Sequence, residues 1–298
     1  MPARVALRGR AAGPARDARV GSGAVGDGES TLEHAVDLGL DGKVAVVAAS
    51  SKGLGRASAL ALAREGARVT ICARTAADLD TAADQIRRET RTDVLAVPAD
   101  LSTADGVSAV VAAAVERFGG VDVLVANSGG PAIGRFADMT DDDWLRAFEV
   151  VTLSFVRLVR EVVPHMRRNR WGRIVGIQSM SVKQPVENID LSNGIRPGIA
   201  GLMKAIMPDL ARDGITINLV LPGSFLTARL GVEIDPLTGE ADPAAEQRLA
   251  PRAATIPLGR LGRPAELGDL VAFLASERAG YITGAAYQID GGTIRSNL

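Results

Sequence analysis

A strand, a glycine-containing turn and a helix at residues 43–65 constrain the fold of this chain more than any other segment. The β-prone apolar run 43–49 leads into a turn that contains Gly53 and Gly55, and a helical stretch follows at 56–65. Glycines allow a backbone to pass close to a pyrophosphate, and the helix N-terminus offers unpaired N–H groups and the positive end of its dipole. This unit therefore predicts a nucleotide site at the turn, although one such turn is a weak signal by itself.

From residue 40 onward, β-prone runs alternate with helical segments and no repeat is visible. This order predicts an α/β fold, a Rossmann-type doubly wound parallel sheet of about seven strands with helices on both faces. Ligands should bind at the carboxyl ends of the strands, where the turns at Gly53, Asp100, Asn127 and Pro222 gather. Helices are expected near residues 54–66, 76–89, 103–117, 141–168, 192–212, 244–254 and 264–275.

Composition limits the function classes. A chain of 298 residues with 47% hydrophobic content can bury a large core, and a net charge of −1 provides no field that would attract nucleic acid. No apolar run approaches the ~18 residues that a membrane span needs. Because Cys72 is the single cysteine, a disulfide framework is excluded and a reducing compartment fits. We therefore expect a cytoplasmic, soluble protein that binds neither nucleic acid nor membrane.

The first 39 residues differ from the rest of the chain. Arginines are scattered there among Ala, Gly and Pro without apolar periodicity, which predicts a disordered extension over residues 1–39. Residues 40–298 are then expected to form one nucleotide-binding domain.

Further motifs follow the first turn in a recognisable order. Asp100-Leu101 follows a third strand, Asn127-Ser128-Gly129 a fourth, and Pro222-Gly223 a sixth, while Asp290-Gly291-Gly292 follows the last. With the turn at Gly53, these residues resemble the short-chain dehydrogenase/reductases, in particular the 3-oxoacyl-carrier-protein-reductase-like branch, from about residue 40 to the C-terminus.

The resemblance implies a nicotinamide cofactor, and charge favours NADP(H). No acid follows the second strand to bind a ribose 2′-OH, whereas Lys52 and Arg74 stand at the two positions where basic residues accompany NADP in this family. The family's first glycine is replaced at Ala49, where we expect a strand-like negative φ that tolerates alanine. The predicted cofactor-binding residues are Ser51, Lys52, Gly53, Leu54, Gly55, Arg74, Asp100, Leu101, Asn127, Ser128, Gly129, Pro222, Gly223, Phe225 and Thr227.

The catalytic positions depart from the family. Its tetrad is a Ser after the fifth strand, a Tyr thirteen residues later, a Lys four residues after that, and an Asn on the preceding long helix. Ser179 matches the Ser, but the next positions hold Ser192 and Arg196, and the Asn position holds Val151. The predicted catalytic set is therefore Ser179, Ser192 and Arg196, with no metal.

We expect the replacement of the Tyr, Lys and Asn to slow the reduction of a carbonyl without excluding it. A serine hydroxyl is a much weaker acid than a tyrosine, and a guanidinium stays protonated, so we expect water to deliver the proton. Ser179 and Ser192 would donate hydrogen bonds to the substrate oxygen, and Arg196 would hold the nicotinamide ribose or the oxyanion. Two alternatives stay open. Ser192 could simply be a helix N-cap, and Lys183, Glu187 or Asp190 could replace the missing acid.

Two hypotheses of function result. The first is an atypical NADP-dependent oxidoreductase that acts on the carbonyl or alcohol group of a small molecule. The alternative keeps the fold but performs non-redox chemistry (dehydration, isomerisation or cyclisation) or serves as an inactive partner subunit. The resemblance also implies a homotetramer or homodimer and a substrate lid at about 224–257, whose Arg229, Arg248 and Arg252 could meet an anionic substrate, although such arginines are ordinarily solvated.

Overall fold

The computed structural model describes residues 36–232 and 242–296. The predicted disordered extension therefore lies, for residues 1–35, outside the described residues. Ordered contacts begin slightly before the predicted boundary at residue 40, because the carbonyls of Asp37 and Leu38 accept hydrogen bonds from the Arg278 side chain (2.9 Å) and the Glu277 backbone (3.0 Å).

Seven strands form one sheet in the order β3-β2-β1-β4-β5-β6-β7, and every neighbouring pair is parallel. This confirms the predicted fold class. The sequence order reverses on either side of β1, and a doubly wound sheet binds ligands at that point. The strands are β1 Val44–Val47, β2 Arg68–Ala73, β3 Val94–Pro98, β4 Val123–Ala126, β5 Gly172–Ile177, β6 Ile215–Pro222 and β7 Ala286–Ile289.

Eight α-helices are described, and most begin or end within two residues of the predicted positions. They are α1 Gly53–Arg64, α2 Ala76–Thr90, α3 Ala104–Phe118, α4 Asp141–Phe148, α5 Ser154–Asn169, α6 Asp190–Arg212, α7 Pro243–Ala253 and α8 Pro264–Ala275. No helix in the described part of the chain is long and apolar enough to cross a membrane.

The predicted single helix at 141–168 is interrupted. A π-helical turn, Glu149–Leu153, joins α4 to α5 and contains the β-branched residues Val150, Val151 and Thr152. Such side chains crowd the preceding helical turn, and π-turns often occur at functional sites. Val151, at the family's Asn position, lies on this turn and is buried.

Both faces of the sheet are covered, and β1 shows how its sequence allows this. Ala45 and Val47 belong to one apolar cluster, which includes α1, α2 and α8, whereas Val46 and Ala48 belong to the opposite cluster with α3, α5 and α6. Successive strand residues point to opposite faces, so a strand covered on both sides must be apolar throughout. Packing on both faces therefore holds β1 in position, and it also positions the turn that follows β1.

The expectation of a negative φ at Ala49 was wrong. Ala49 has a φ of 47°, in the left-handed region. The chain bends sharply there because Ala48 still pairs with β4, through its N–H and the Val125 carbonyl, while the N–H of Ser50 bonds to the carbonyl of Cys72 in β2. A side-chain Cβ in this conformation costs about 1–2 kcal/mol.

We expect Ala49→Gly to raise the free energy of unfolding by about 0.5–1 kcal/mol, because relief of left-handed strain exceeds the added flexibility of the unfolded chain. Thermal unfolding should show a rise of about 1–4 °C. Ala48→Gly is the matched control, because it removes a buried methyl group without relieving strain and should lower the unfolding temperature. If both variants lower the unfolding temperature by the same amount, the assignment of strain to Ala49 is contradicted.

Candidate active site

A cleft of about 650 Å³ opens at the carboxyl ends of β1 to β4. Its walls combine residues that are far apart in sequence, because parallel strands bring their carboxyl ends to one edge. Eleven of the predicted cofactor residues line it: Ser51, Lys52, Gly53, Leu54, Arg74, Asp100, Leu101, Asn127, Ser128, Gly129 and Thr227.

The turn after β1 fits a diphosphate. Gly53 has a φ of +57°, where a side chain would be strained, and a Cβ on Gly55 would overlap the carbonyl oxygen of Ala49. The Asn127 amide donates to the Ala49 carbonyl (3.2 Å) and ties the turn to the end of β4. No side chain caps α1 and no acid lies in its first turn. The helix therefore offers its N-terminal N–H groups and dipole to an anion.

The end of the cleft near β2 is rich in charge. Arg74 lines it, and Lys52 forms an ion pair with Asp78 (3.0 Å) in the first turn of α2. Hydrogen bonds from Ser102, aided by the nearby charges of Arg74 and Arg146, hold the pKa of Asp100 below its usual value. Sequence analysis missed Asp78 and Arg146. Asp78 lies one helical turn beyond Arg74, and Arg146 reaches the cleft from α4.

Four predicted cofactor residues lie outside the cleft walls. Gly55 lies behind the turn against Ala49 and Asn127, and Pro222 is buried at the end of β6. Gly223 passes close to the backbone of Asp290, and the ring of Phe225 packs on Gly262. These residues shape the neighbouring turns.

Three serines form a hydrogen-bonded group after β5. Ser179 Oγ accepts a bond from the Ser181 N–H (3.1 Å), and the hydroxyls of Ser181 and Ser192 lie 3.0 Å apart. Ser192 is the third residue of α6, whose N-cap is Ile189, so the N-cap alternative is wrong. Sequence analysis missed Ser181, which connects the two predicted serines.

Arg196 lies next to this group, and neither Arg196 nor the three serines are among the residues that line the cleft. Its side chain is buried, with 6% of the residue exposed, and Nη1 donates to the neutral Oε1 of Gln178 (2.8 Å). Among the described residues, no hydrogen-bond partner is found for its Nε and no acid forms an ion pair with it. Burial, together with the nearby charge of Arg229, lowers the pKa of Arg196 to about 10.

Arg229 follows β6 and reaches across the cleft. Its guanidinium donates to the carbonyls of Gly129 (2.7 Å) and Pro131 (3.0 Å), in the loop after β4. It lines the cleft as an exposed side chain, so the start of the predicted lid is tied to the opposite wall. Later in the predicted lid, residues Pro243–Ala253 form α7, whereas residues 233–241 lie outside the described residues.

The structure does not favour the three candidates for the missing acid. Asp190 accepts a bond from the Phe136 N–H (2.7 Å), which fixes the loop before α4. Glu187 is exposed and Lys183 is half-buried, both in the loop between β5 and α6. Within the described ranges, no group of three or more His, Cys, Asp or Glu side chains is placed to hold a metal ion.

A family model described as enoyl-(acyl carrier protein) reductase matches residues 48–293. The chain belongs to the short-chain dehydrogenase/reductase (SDR) family. This SDR is 34% identical over 257 residues to the 3-oxoacyl-acyl-carrier-protein reductase FabG of Vibrio cholerae, which covers 86% of the chain and 98% of the relative.

Solved structures agree with this placement. The L-sorbose reductase of Gluconobacter frateurii, in complex with NADPH and L-sorbose, is 33% identical with a TM-score of 0.80, over 87% of this SDR and 99% of that chain. A variant of the actinorhodin polyketide ketoreductase with NADPH is 32% identical with a TM-score of 0.76, over 85% of this SDR and 98% of that chain.

We expect Arg196→Met to stabilise the ligand-free SDR by about 1–2 kcal/mol, because removing an unpaired buried cation outweighs the lost bond to Gln178. The stability difference between Arg196→Met and the wild type should shrink as the pH rises toward about 10 and beyond. In that range Arg196 of the wild type loses its proton in the folded state but keeps it in the unfolded state, so the wild type becomes more stable. Differential unfolding from pH 8 to 11 measures this.

The control for this comparison is Arg278→Met, because Arg278 is exposed and should show no such pH-dependent difference. If Arg196→Met is less stable than the wild type at pH 8, the contacts of the buried guanidinium already offset the cost of burying its charge.

Proposed function

We propose that this SDR is an NADP(H)-dependent oxidoreductase that acts on a carbonyl or alcohol group, similar to 3-oxoacyl reductases but with Ser179, Ser192 and Arg196 as its catalytic group. The observation that carries the proposal is the cleft, in which most of the predicted cofactor residues meet at the topological switch point of the sheet. The serine and arginine group lies after the neighbouring strand β5.

The choice of NADP(H) rests on charge. Similar structures carry NADPH or NADH, so the fold alone does not select the nucleotide. Arg74 follows β2 with no acid at that position, and Lys52 precedes the glycine turn. Both would bind a 2′-phosphate, while the N-terminus of α1 would receive the diphosphate. The negative charge of Asp78 would favour NADH over NADPH, but the Asp78 carboxylate is already paired with Lys52.

NADPH, when bound, would supply the hydride that reduces a carbonyl carbon, and one proton would have to reach the carbonyl oxygen to give the alcohol. Ser179 Oγ accepts a hydrogen bond from the Ser181 N–H, so its own hydroxyl hydrogen would be available for the substrate oxygen. Ser192 contacts Ser181 and would act through that pair. Arg196 would stabilise negative charge on the oxygen, and water would restore the proton.

A non-redox reaction is the second candidate. The observation that favours it is the absence, among the described residues of this group, of a side chain suited to donate a proton near neutral pH. Ser179, Ser181 and Ser192 are weak acids, and Arg196 remains protonated below about pH 10. The two experiments below separate the candidates.

We also propose a homodimer or homotetramer in the cytoplasm. Large apolar side chains at Ile133, Phe136, Leu145 and Phe148 are exposed, and exposed apolar surface of this kind often marks a protein interface. The buried free thiol of Cys72 fits a reducing compartment.

Fluorescence titration with NADPH and NADH tests the cofactor. NADPH should bind more tightly, and Arg74→Ala should weaken NADPH binding about 10- to 100-fold while it leaves NADH nearly unchanged, because only NADPH carries the 2′-phosphate. Arg88→Ala is the control, an exposed arginine on α2 that donates to the Asp84 carbonyl. Binding of neither nucleotide would eliminate the oxidoreductase proposal.

The reaction is tested by NADPH oxidation at 340 nm with acetoacetyl thioesters and simple ketones. Ser179→Ala should lower kcat about 100- to 1,000-fold, as expected for loss of a donor to a developing oxyanion, with no change in the Kd of NADPH. Ser108→Ala, an exposed serine on α3, is the control. Unchanged kcat in Ser179→Ala would remove Ser179 from the mechanism, and tight NADPH binding without any turnover would favour the non-redox candidate.

A further inference from the structure

A short segment after β6, residues Thr227–Arg229, spans the cleft, and we call it the strap. At one end of the strap, the threonine methyl group lies 3.4 Å from the place that a Cβ on Gly53 would occupy, in the turn after β1. At the other end, the guanidinium donates to the carbonyls of Gly129 (2.7 Å) and Pro131 (3.0 Å), in the loop after β4. The strap therefore contacts both walls of the cleft.

The backbone of the strap is anchored on both sides. Before it, Phe225 forms an isolated parallel bridge with Gly262, and the Leu226 N–H donates to the Gly262 carbonyl (2.9 Å). After it, Val232 is buried in an apolar cluster that also contains Leu226. The Arg229 side chain, in contrast, is exposed, and exposed side chains change rotamer readily. The tie to the loop after β4 can therefore open by rotation of one side chain, while the buried anchors stay in place.

The loop after β4 is shaped to receive the guanidinium. Gly130 lies between the two accepting residues with a φ of +74°, and a Cβ there would lie 2.8 Å from Nη1 of Arg229. The next part of this loop is fixed, because the Gly134 N–H donates to the Asn188 carbonyl (2.9 Å). A planar guanidinium can donate to two carbonyls at once, and its charge strengthens both bonds.

A dinucleotide in this cleft would lie under the strap. Its diphosphate would be held at the N-terminus of α1, beside Gly53 and therefore beside the threonine of the strap. The rest of the nucleotide would continue into the crevice between β1 and β4, where the strand order reverses. The strap spans this crevice, so the nucleotide could neither enter nor leave freely while the guanidinium stays bonded to the loop after β4.

We propose that Arg229 is a latch, whose contact with the carbonyls of Gly129 and Pro131 closes the strap over NADP(H) and whose opening controls the entry and release of the nucleotide. Because entry needs the open form, association is slowed in proportion to the fraction of molecules that are open. Release needs the same opening. This inference rests on the cofactor site of the proposed function, but it does not require the redox reaction.

Stopped-flow fluorescence of NADPH with the full chain tests the latch. Association is followed on mixing, and release is followed on displacement by excess NADP⁺. Arg229→Met keeps a long side chain without a hydrogen-bond donor, so it should raise both rate constants about 10-fold or more. The Kd should change less than either rate constant, because entry and release become faster together.

Gly130→Ala tests the latch from the opposite wall without removing a charge. Its methyl group would displace the guanidinium, so it should also speed association and release. Gly42→Ala is the matched control, because Gly42 has a similar φ of +71° but lies before β1, and a Cβ there meets nothing within 4 Å. Both alanine variants should lose stability through backbone strain, yet only Gly130→Ala should change the exchange of NADPH. The double variant with Arg229→Met should be no faster than Arg229→Met alone, because both changes break the same contact.

Two results would overturn the latch. One is an unchanged release rate in Arg229→Met. The other is an unchanged or slower association rate in Gly130→Ala, because the charge that attracts a phosphate is still present in that variant.

NADPH oxidation with carbonyl compounds separates this inference from the proposed function. Turnover by variants whose exchange rates equal those of the wild type would keep the oxidoreductase and overturn the latch. Faster exchange in Arg229→Met and Gly130→Ala, without NADPH oxidation by any of the carbonyl compounds, would support the latch and reject the redox reaction.

Discussion

The parallel pairing of β1 with β2 on one side and β4 on the other is the constraint on which the remaining structure depends. Strand β1 is apolar on both faces, and helices cover it on both sides. The turn that follows β1 therefore lies at the carboxyl edge of the sheet, where no described helix covers it. The turns after β2, β3, β4 and β6 reach that edge through the same parallel arrangement. The cleft and its charges follow from where these strands end.

The proposed chemistry depends on positions where the sequence departs from the tetrad that the family resemblance implies. Ser192 and Arg196 stand where a Tyr and a Lys are expected, and in the structure the Ser192 hydroxyl lies 3.0 Å from that of Ser181 while the Arg196 guanidinium donates to Gln178. The arrangement can stabilise negative charge but does not itself provide a strong acid.

The fold and the cofactor cleft could be predicted from the sequence because they depend on local patterns. Strand periodicity, glycine turns and motif order require no knowledge of distant contacts, so most helix bounds agree with the structure and most of the predicted cofactor residues line one cleft. The sign of φ at Ala49 could not be read in this way, because the bend is imposed by pairing with β4 and β2. The π-turn at Val151 likewise interrupts a helical pattern that looked continuous.

The partners of the charged side chains were the least predictable. Arg229 contacts Gly129 at a separation of 100 residues, and counting along α6 identifies Arg196 without showing that it is buried or bonded to Gln178. Such contacts depend on how separate elements pack and on side-chain rotamers. They determine whether a charge is solvated, compensated or left to a ligand.

The ion pair between Lys52 and Asp78 changes how nucleotide selection should be understood. Lys52 already has a carboxylate within 3.0 Å, so a 2′-phosphate bound there would not meet a free ammonium group. Binding would exchange one ion pair for another, and only the difference between the two would favour the phosphorylated nucleotide. Discrimination at Lys52 would thus be a competition between an internal and an external anion, whereas Arg74 forms no ion pair among the described residues and its charge acts on Asp100 from a distance.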